Sequence, residues 1–544
     1  MLRILLGRAR TGKSARVLEE IRALGDSSQQ ILLVPEHASH VAEVDVCRAC
    51  GVTASRHAEV LTFKLLASRV LTLTGGAAEV TLDNGGKLLL LQRVLVSLAP
   101  SLRVYRRPSQ RAAFLESLLA LIEELQAYAV APEVLAEKAE AIAGESGERL
   151  RDLALLYGAY LAKLHEGGRD ARDRLEKLEE NLAASGYADN KDIFLDGFSY
   201  FTGRERNILR ILLKRAKSVT VTLLGDGSDS ELFAEGLRVR EQLYALARDA
   251  GVPCTEEVLR GGAPRDALGH VEKHFFGGNV RWDEPTEQLR LYEASTAYDE
   301  AERIAAEILR LVRCEGYRFR DITVTSRDMD AAEPVLRTVF ARCGIPLYCA
   351  RRSDILRRGV PALLLGALDA VSGGFEYEDV FRCLKTGLAG LSAEECDLLE
   401  NYVIKWDIRG AMWTRDVPWT AHPEGYGVPW RTEHEEMLTR VNAAREKVRA
   451  PLSHLYEGVR GLGDVEGKVT ALYNYLTEIA LPEELQRQTE TLWQRGETQR
   501  AEELAQLWNV LCGVLDQFVE MLGGTELDAE EFARLMRLVL TQYS

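Results

Sequence analysis

The residues with the most specific chemistry stand at the start of the chain. Gly7-Arg8-Ala9-Arg10-Thr11-Gly12-Lys13-Ser14 has the spacing G-x-x-x-x-G-K-S. Glycines in such a loop let successive backbone N–H groups curl around phosphate oxygens, and the start of the following helix adds partial positive charge. Lys13 would place a point charge on the β- and γ-phosphates of ATP or GTP, and the Ser14 hydroxyl would ligate Mg2+. Gly7 through Ser14 are therefore the candidate nucleotide-binding residues. Arg10 stands where many such loops carry a small residue. An arginine there either crowds the curl or adds charge near the phosphates.

A site of this kind needs an acidic residue at the end of a neighbouring strand to hold the magnesium. Asp196 closes the apolar run Ile193-Phe194-Leu195 and is the candidate. Hydrolytic motors usually follow that Asp with a Glu that polarises water, and here the position is Gly197. Glu205 lies further on, in a helical pattern, and reads as a solvated face. The expectation is a site that binds nucleotide while its general base is absent or supplied from elsewhere.

These groups require elements to position them. Leu2–Leu6 reads as a buried strand, and Val17, Leu18, Ile21 and Leu24 recur at helical spacing after the loop. Lys13 and Asp196 are 183 residues apart. Much of the intervening chain is helical by periodicity, as at Phe114, Leu115, Leu118, Leu119 and Ile122. This predicts a first α/β domain at 1–86 and 185–280, interrupted by a helical insertion at 87–184. Leu289–Tyr292, Ile322–Thr325 and Ile345–Tyr348 read as strands alternating with helices at Ala297–Val312 and Val335–Cys343. That pattern predicts the beginning of a second α/β domain at 281–361. Residues 362–544 read as a second helical insertion with no return strands, so the expectation is a fragment, or a domain completed by a partner region.

The 544 residues suit three or four domains at ~100–200 residues each. A charge of 68 − 83 = −15 argues against a protein that coats DNA or an anionic membrane with its whole surface, yet permits one basic groove. Three basic clusters suit either DNA contact or a solvated face: Arg103, Arg106 and Arg107; Arg204, Arg206, Arg210, Lys214, Arg215 and Lys217; and Arg351, Arg352, Arg357 and Arg358. Trp406 and Trp413, seven apart, are expected on one helical face, with core packing favoured over base stacking. The nine cysteines are odd in number and scattered, which argues against a disulfide framework. Cys47 and Cys50 form a lone C-x-x-C, read as two thiols one helical turn apart. No apolar run reaches the ~20 residues of a membrane span, and no signal peptide is evident, so a cytoplasmic protein is expected.

Beyond the phosphate loop, the order and spacing of several motifs carry a family resemblance. They are Leu33-Val34-Pro35-Glu36, Val60-Leu61-Thr62-Phe63, Phe194-Leu195-Asp196-Gly197-Phe198, Asp321-Ile322-Thr323-Val324 with Arg327-Asp328, Gly344-Ile345-Pro346, Leu384-Lys385-Thr386-Gly387-Leu388, and Leu399-Glu400-Asn401-Tyr402-Val403 with Trp406, Ile408, Gly410 and Trp413. With these the chain resembles the N-terminal half of the AddB family of helicase–nuclease subunits. The resemblance implies an α/β, P-loop NTPase fold of superfamily 1 helicase type, with RecA-like domains, large helical insertions and the C-terminal nuclease half absent. It implies ATP and Mg2+ at the loop, with Ser14 and Asp196 as metal residues and Arg327 as the second-domain arginine that reaches the γ-phosphate. It implies an AddA-type motor and nuclease subunit as heterodimer partner, with single-stranded DNA and duplex ends as substrates in double-strand break repair. The [4Fe–4S] cluster and nuclease residues of the family belong to the missing half. Within the family, the missing Glu favours a subunit that engages and scans single-stranded DNA over the alternative of an active ATP-dependent helicase motor. An unrelated P-loop ATPase or kinase would explain neither the 183-residue gap nor the second α/β pattern.

Overall fold

The computed structural model describes residues 1–51, 53–75, 82–106, 112–166, 174–228, 231–261, 266–274, 280–349 and 359–543. β1 (Leu2–Gly7) passes through the glycine loop into α1 (Lys13–Leu24). β2 (Gln30–Leu33), α2 (Ser39–Cys50), β3 (Ala58–Leu61) and α3 (Phe63–Thr74) follow. Five helices come next: α4 (Asn84–Leu98), α5 (Ala112–Ala127), α6 (Pro132–Ala141), α7 (Glu145–Glu166) and α8 (Arg174–Ser185). The chain then returns through β4 (Asp192–Leu195), α9 (Gly203–Arg215), β5 (Ser218–Leu224), α10 (Ala234–Ala250), β6 (Cys254–Leu259) and α11 (Ala267–His274).

The six strands form one parallel sheet in the order β3-β2-β4-β5-β1-β6. Strands buried on both faces need near-continuous apolar runs, and β1 and β2 supply Leu2, Ile4, Leu5 and Leu6 with Ile31, Leu32 and Leu33, all buried. α1 and α2 cover one face. α3, α8, α9 and α10 cover the other. α8 thus packs on the sheet, although it lies within the helical stretch 87–184.

The second α/β unit holds α12 (Ala297–Cys314) and α13 (Met329–Arg342) around a small core of Ala301, Ala305, Ile308, Leu336, Val339, Phe340 and Ile345. The three strands expected here do not form as strands. Segments 289–292, 322–325 and 345–348 enter no ladder among the described residues. The backbone lacks neighbouring strands to bond with, and apolar alternation alone cannot create them.

The rest is helical: α14 (Gly359–Ser372), α15 (Tyr377–Leu384), α16 (Ala393–Trp406), α17 (Ala411–Thr414), α18 (Thr432–Val459), α19 (Val465–Glu478), α20 (Leu481–Gln494), α21 (Thr498–Leu522) and α22 (Ala529–Leu540). Two-residue strands β7 (Gly463–Asp464) and β8 (Glu526–Leu527) pair antiparallel between them. α4, α5 and α7 share a single hydrophobic core with α14 to α22. Gly85 shows how closely they interlock, since a Cβ there would stand 2.9 Å from Val539. No helix among the described residues is long and apolar enough to cross a membrane.

Trp406 and Trp413 do not share one helical face. α16 stops at Trp406, where Asp407 takes φ 45°, and Trp413 sits in the separate turn α17. Trp413 is buried in the helical core and Trp406 packs partly buried against it, so core packing holds for both. Cys47 and Cys50 lie one turn apart at the end of α2 as free thiols.

Candidate nucleotide site

The loop Gly7–Ser14 lies at the carboxyl end of β1, between β5 and β6, where parallel sheets place their ligand crevices. Its glycines have separate jobs. A Cβ on Gly7 would fall 2.2 Å from Thr11 Oγ1 and 3.3 Å from the Leu259 carbonyl, so any side chain there would push Thr11 out of its place in the loop. Gly12 takes φ 86°, a left-handed backbone that side chains disfavour. Arg10 also takes the left-handed region, at φ 59°. This backbone favours glycine at position 10, and an arginine there costs about 1–2 kcal/mol of strain.

α1 begins without a capping side chain and without an acidic residue in its first turn. α3, α4, α9 and α12 are capped by Thr62, Asp83, Thr202 and Thr296. The first N–H groups of α1 are thus left without a side-chain acceptor and point toward the crevice, an arrangement that suits an anion. Lys13 Nζ donates to the carbonyls of Gly7 and Arg8, both at 2.7 Å. Burial lowers its pKa, and the attraction of Asp196 opposes that shift. An incoming phosphate would have to take the ammonium from these two carbonyls.

Asp196 follows β4, one strand removed from β1, with β5 between. Thr222 on β5 donates to Asp196 Oδ1 at 2.5 Å and fixes its orientation. The structure thus brings Lys13 and Asp196 within electrostatic reach across the 183 residues between them. Ser14 is exposed at the helix start, open to a metal ligand shell. Gly197 takes φ 82° and would set any Cβ 3.5 Å from Pro35. The absent glutamate therefore has a backbone cause, because this turn disfavours a side chain. Glu205 is not a free solvated face. It closes a capping box with Thr202 at the start of α9.

One part of the site was not expected from the motif. Arg8 pairs with Asp226 at 2.9 Å and with Glu272 at 3.1 Å, and lies over the Phe233 ring at 5.5 Å. Asp226 is held down to about 2, first by the Ser228 hydroxyl and then by Arg8. Gly225-Asp226 at the end of β5 was the only sequence signal. Beside this network lies a cavity of about 580 Å3, lined by Ala9, Phe198, Leu224, Phe233 and Val271 among others. Arg327 is exposed on the second unit and makes no contact with the loop among the described residues.

The basic clusters divide. Arg204 is buried, donates to the Gln126 carbonyl and pairs with Glu176 and Glu179, so it ties α9 to the helices rather than facing DNA. Arg215 pairs with Asp189 and Lys217 with Asp192. Arg210 and Lys214 stay exposed. Arg103 pairs with Glu148. Arg107, Arg351, Arg352, Arg357 and Arg358 lie outside the described residues. Among the described residues no group of three or more His, Cys, Asp or Glu is placed to hold a metal ion.

Comparison with known proteins agrees with the motif reading. The family model described as ADDB, N-terminal, matches residues 4–272. A protein of Acetivibrio thermocellus, named as the B-type subunit of an ATP-dependent helicase/deoxyribonuclease, is 31% identical over 99% of this chain and 48% of its own length. The protein of the same name in Desulforudis audaxviator is 34% identical over 98% of this chain and 48% of its own length. That of Caldanaerobacter subterraneus subsp. tengcongensis is 31% identical over 100% and 48%. The chain spans about half the length of the curated relatives it matches.

Proposed function

The chain corresponds to the N-terminal half of AddB, the B-type component of ATP-dependent helicase/deoxyribonucleases, and on that premise we propose that it is the nucleotide-binding, helicase-like part of a helicase–nuclease that processes DNA ends. In this reading the first α/β unit is a RecA-like domain. The loop amides and Lys13 hold the ATP phosphates, and Ser14 and Asp196 hold Mg2+. Arg327 approaches the γ-phosphate only when the second unit closes on the first. An AddA-type subunit supplies the main motor. This chain engages and scans single-stranded DNA, and the nuclease and [4Fe–4S] residues of the family lie in the half of the relatives' length that it does not span.

The observation that carries the reading is the turn after β4. Asp196 is oriented by Thr222, while the next residue is held in a conformation that favours glycine. The chain therefore keeps the groups that bind a magnesium nucleotide and lacks the adjacent group that would activate water. ATP binding and hydrolysis, measured on the chain with and without single-stranded DNA, test this. Mg-ATP binding that Lys13→Ala abolishes, with little DNA-stimulated turnover, is expected. Robust turnover by the chain alone, lost in Lys13→Ala, would show an active motor and overturn the non-motor reading. Binding to single-stranded DNA is expected to fall steeply with salt.

A further inference from the structure

We propose, on the reading that the loop holds Mg-ATP, that Arg8 is a positioning residue which couples the nucleotide site to α11, and that nucleotide binding loosens α11 from the loop. The two ends of Arg8 do different things. Its carbonyl accepts from Lys13 Nζ at 2.7 Å and from the Thr11 hydroxyl at 2.9 Å. Its guanidinium donates from Nε and Nη2 to Asp226 at 3.2 and 2.9 Å, and from Nη1 to Glu272 of α11 at 3.1 Å. All three guanidinium nitrogens are engaged by carboxylates, so the side chain anchors the loop. α11 is bound in turn to the segment that leads into the second unit. His270 Nε2 lies 2.9 Å from the Val280 carbonyl, and the His270 ring packs 5.3 Å from Trp282. Gln288 donates to Asp266, just before α11, at 2.8 Å. A path of contacts thus runs from Lys13 through Arg8, Glu272 and α11 to residues 280–288.

Lys13 gives this path two states. Its ammonium rests on the Gly7 and Arg8 carbonyls, and to meet a phosphate it must leave them. The Arg8 peptide then loses its charged donor, and negative charge enters close to a guanidinium shared between two carboxylates. Glu272 is the partner that yields. It is met by one nitrogen and its side chain is 43% exposed, whereas Asp226 is met by two and is 23% exposed. Solvent weakens the first pair more than the second. Little else holds α11 in place, since of its eight residues only Ala267 and Gly269 are buried.

Hydrogen–deuterium exchange of α11, read beside a calorimetric titration with Mg-ATP, tests the coupling. The amides of 270–274 are expected to exchange about 3-fold faster in the Mg-ATP-bound chain, the factor that loss of an exposed ion pair carries. Glu272→Gln keeps the shape of the side chain and removes its charge. By reciprocity it is expected to bind Mg-ATP about 3-fold more tightly, and to show the faster exchange before any nucleotide is added. Unchanged exchange at α11 in a chain that binds Mg-ATP, or equal affinity in Glu272→Gln, would overturn the coupling and leave the nucleotide reading standing. No Mg-ATP binding by the parent chain would overturn both. In Lys13→Ala the exchange of α11 is expected to ignore added Mg-ATP. A response there would reveal a route that bypasses the loop, and would overturn the part given to Lys13.

Discussion

The two α/β units of this chain start from the same local pattern and finish differently. In the first, β1 and β2, joined through α1, lie in a sheet whose strands are bonded along their length. In the second, segments 322–325 and 345–348 flank α13 in the same order and enter no strand ladder among the described residues. Intrinsic preference does not explain the difference, because Ile322-Thr323-Val324-Thr325 is as β-branched as Val219-Thr220-Val221-Thr222 of β5. Neighbours explain it. β1 finds β5 on one side and β6 on the other, and β4 finds β2 and β5. A strand is a property of a pair, so an apolar alternation specifies which face is buried without specifying that a ladder exists.

The contrast can be broken most directly by side-chain truncation. Phe194 is 2% exposed in β4, and Phe194→Ala is expected to cost about 3–5 kcal/mol in denaturant melts. Val324→Ala, in the unpaired segment, is expected to cost less than about 1 kcal/mol in the same melts. Equal losses would mean that the second unit is as fully packed as the first. The next effect concerns the tie between the sheet and the helices. Arg204→Ala is expected to cost about 2 kcal/mol, below the 3–5 of a fully buried pair because Glu176 and Glu179 are partly exposed. Rescue by Arg204→Lys should be poor, since the Gln126 carbonyl and the two carboxylates are met by three separate guanidinium nitrogens and a compact ammonium has one.

Smaller effects sharpen the picture of the phosphate loop. Arg10→Gly relieves a left-handed backbone and is expected to stabilise the chain by about 1 kcal/mol. A loss of stability would show that the Arg10 side chain makes up for its strain. The last prediction is a pH dependence. Asp226 titrates near 2 in the folded chain, below the usual carboxylate range, so its contribution is present above about pH 4 and is lost as pH falls toward 2. Asp226→Asn should therefore be slightly less stable than the parent at neutral pH, with the gap closing toward pH 2 in thermal melts. A gap that persists at pH 2 would separate the effect from ionisation.

Much of the site was legible because its chemistry is local. Glycine spacing, Lys13, Ser14 and the strand ending at Asp196 are all read within a few residues. The partners of Arg8 were not, because Asp226 and Glu272 stand 218 and 264 positions away. The roles of Arg204 and Glu205 were also hidden. The same residue types suit a solvated face until the fold brings Glu176, Glu179 and Thr202 beside them. The helices were plain from periodicity. Their fusion into one body was not, since Gln92–Glu531 and Arg93–Met521 span more than 400 positions. Residue 407 misled for a different reason: an aspartate in a left-handed conformation ends α16 where the apolar spacing continues.

The strand order also has a consequence for synthesis on the ribosome. β1 is made first, yet its two neighbours are β5 and β6, which end at Leu224 and Leu259. At about 5–20 residues per second, the emerging phosphate loop waits on the order of ten seconds or more before either flank exists. During that interval an apolar strand and an uncapped helix start are presented to the cell unpaired. The six helices encoded between β3 and β4 lengthen that wait. A nascent chain of this kind has reason to meet a chaperone before it meets a nucleotide.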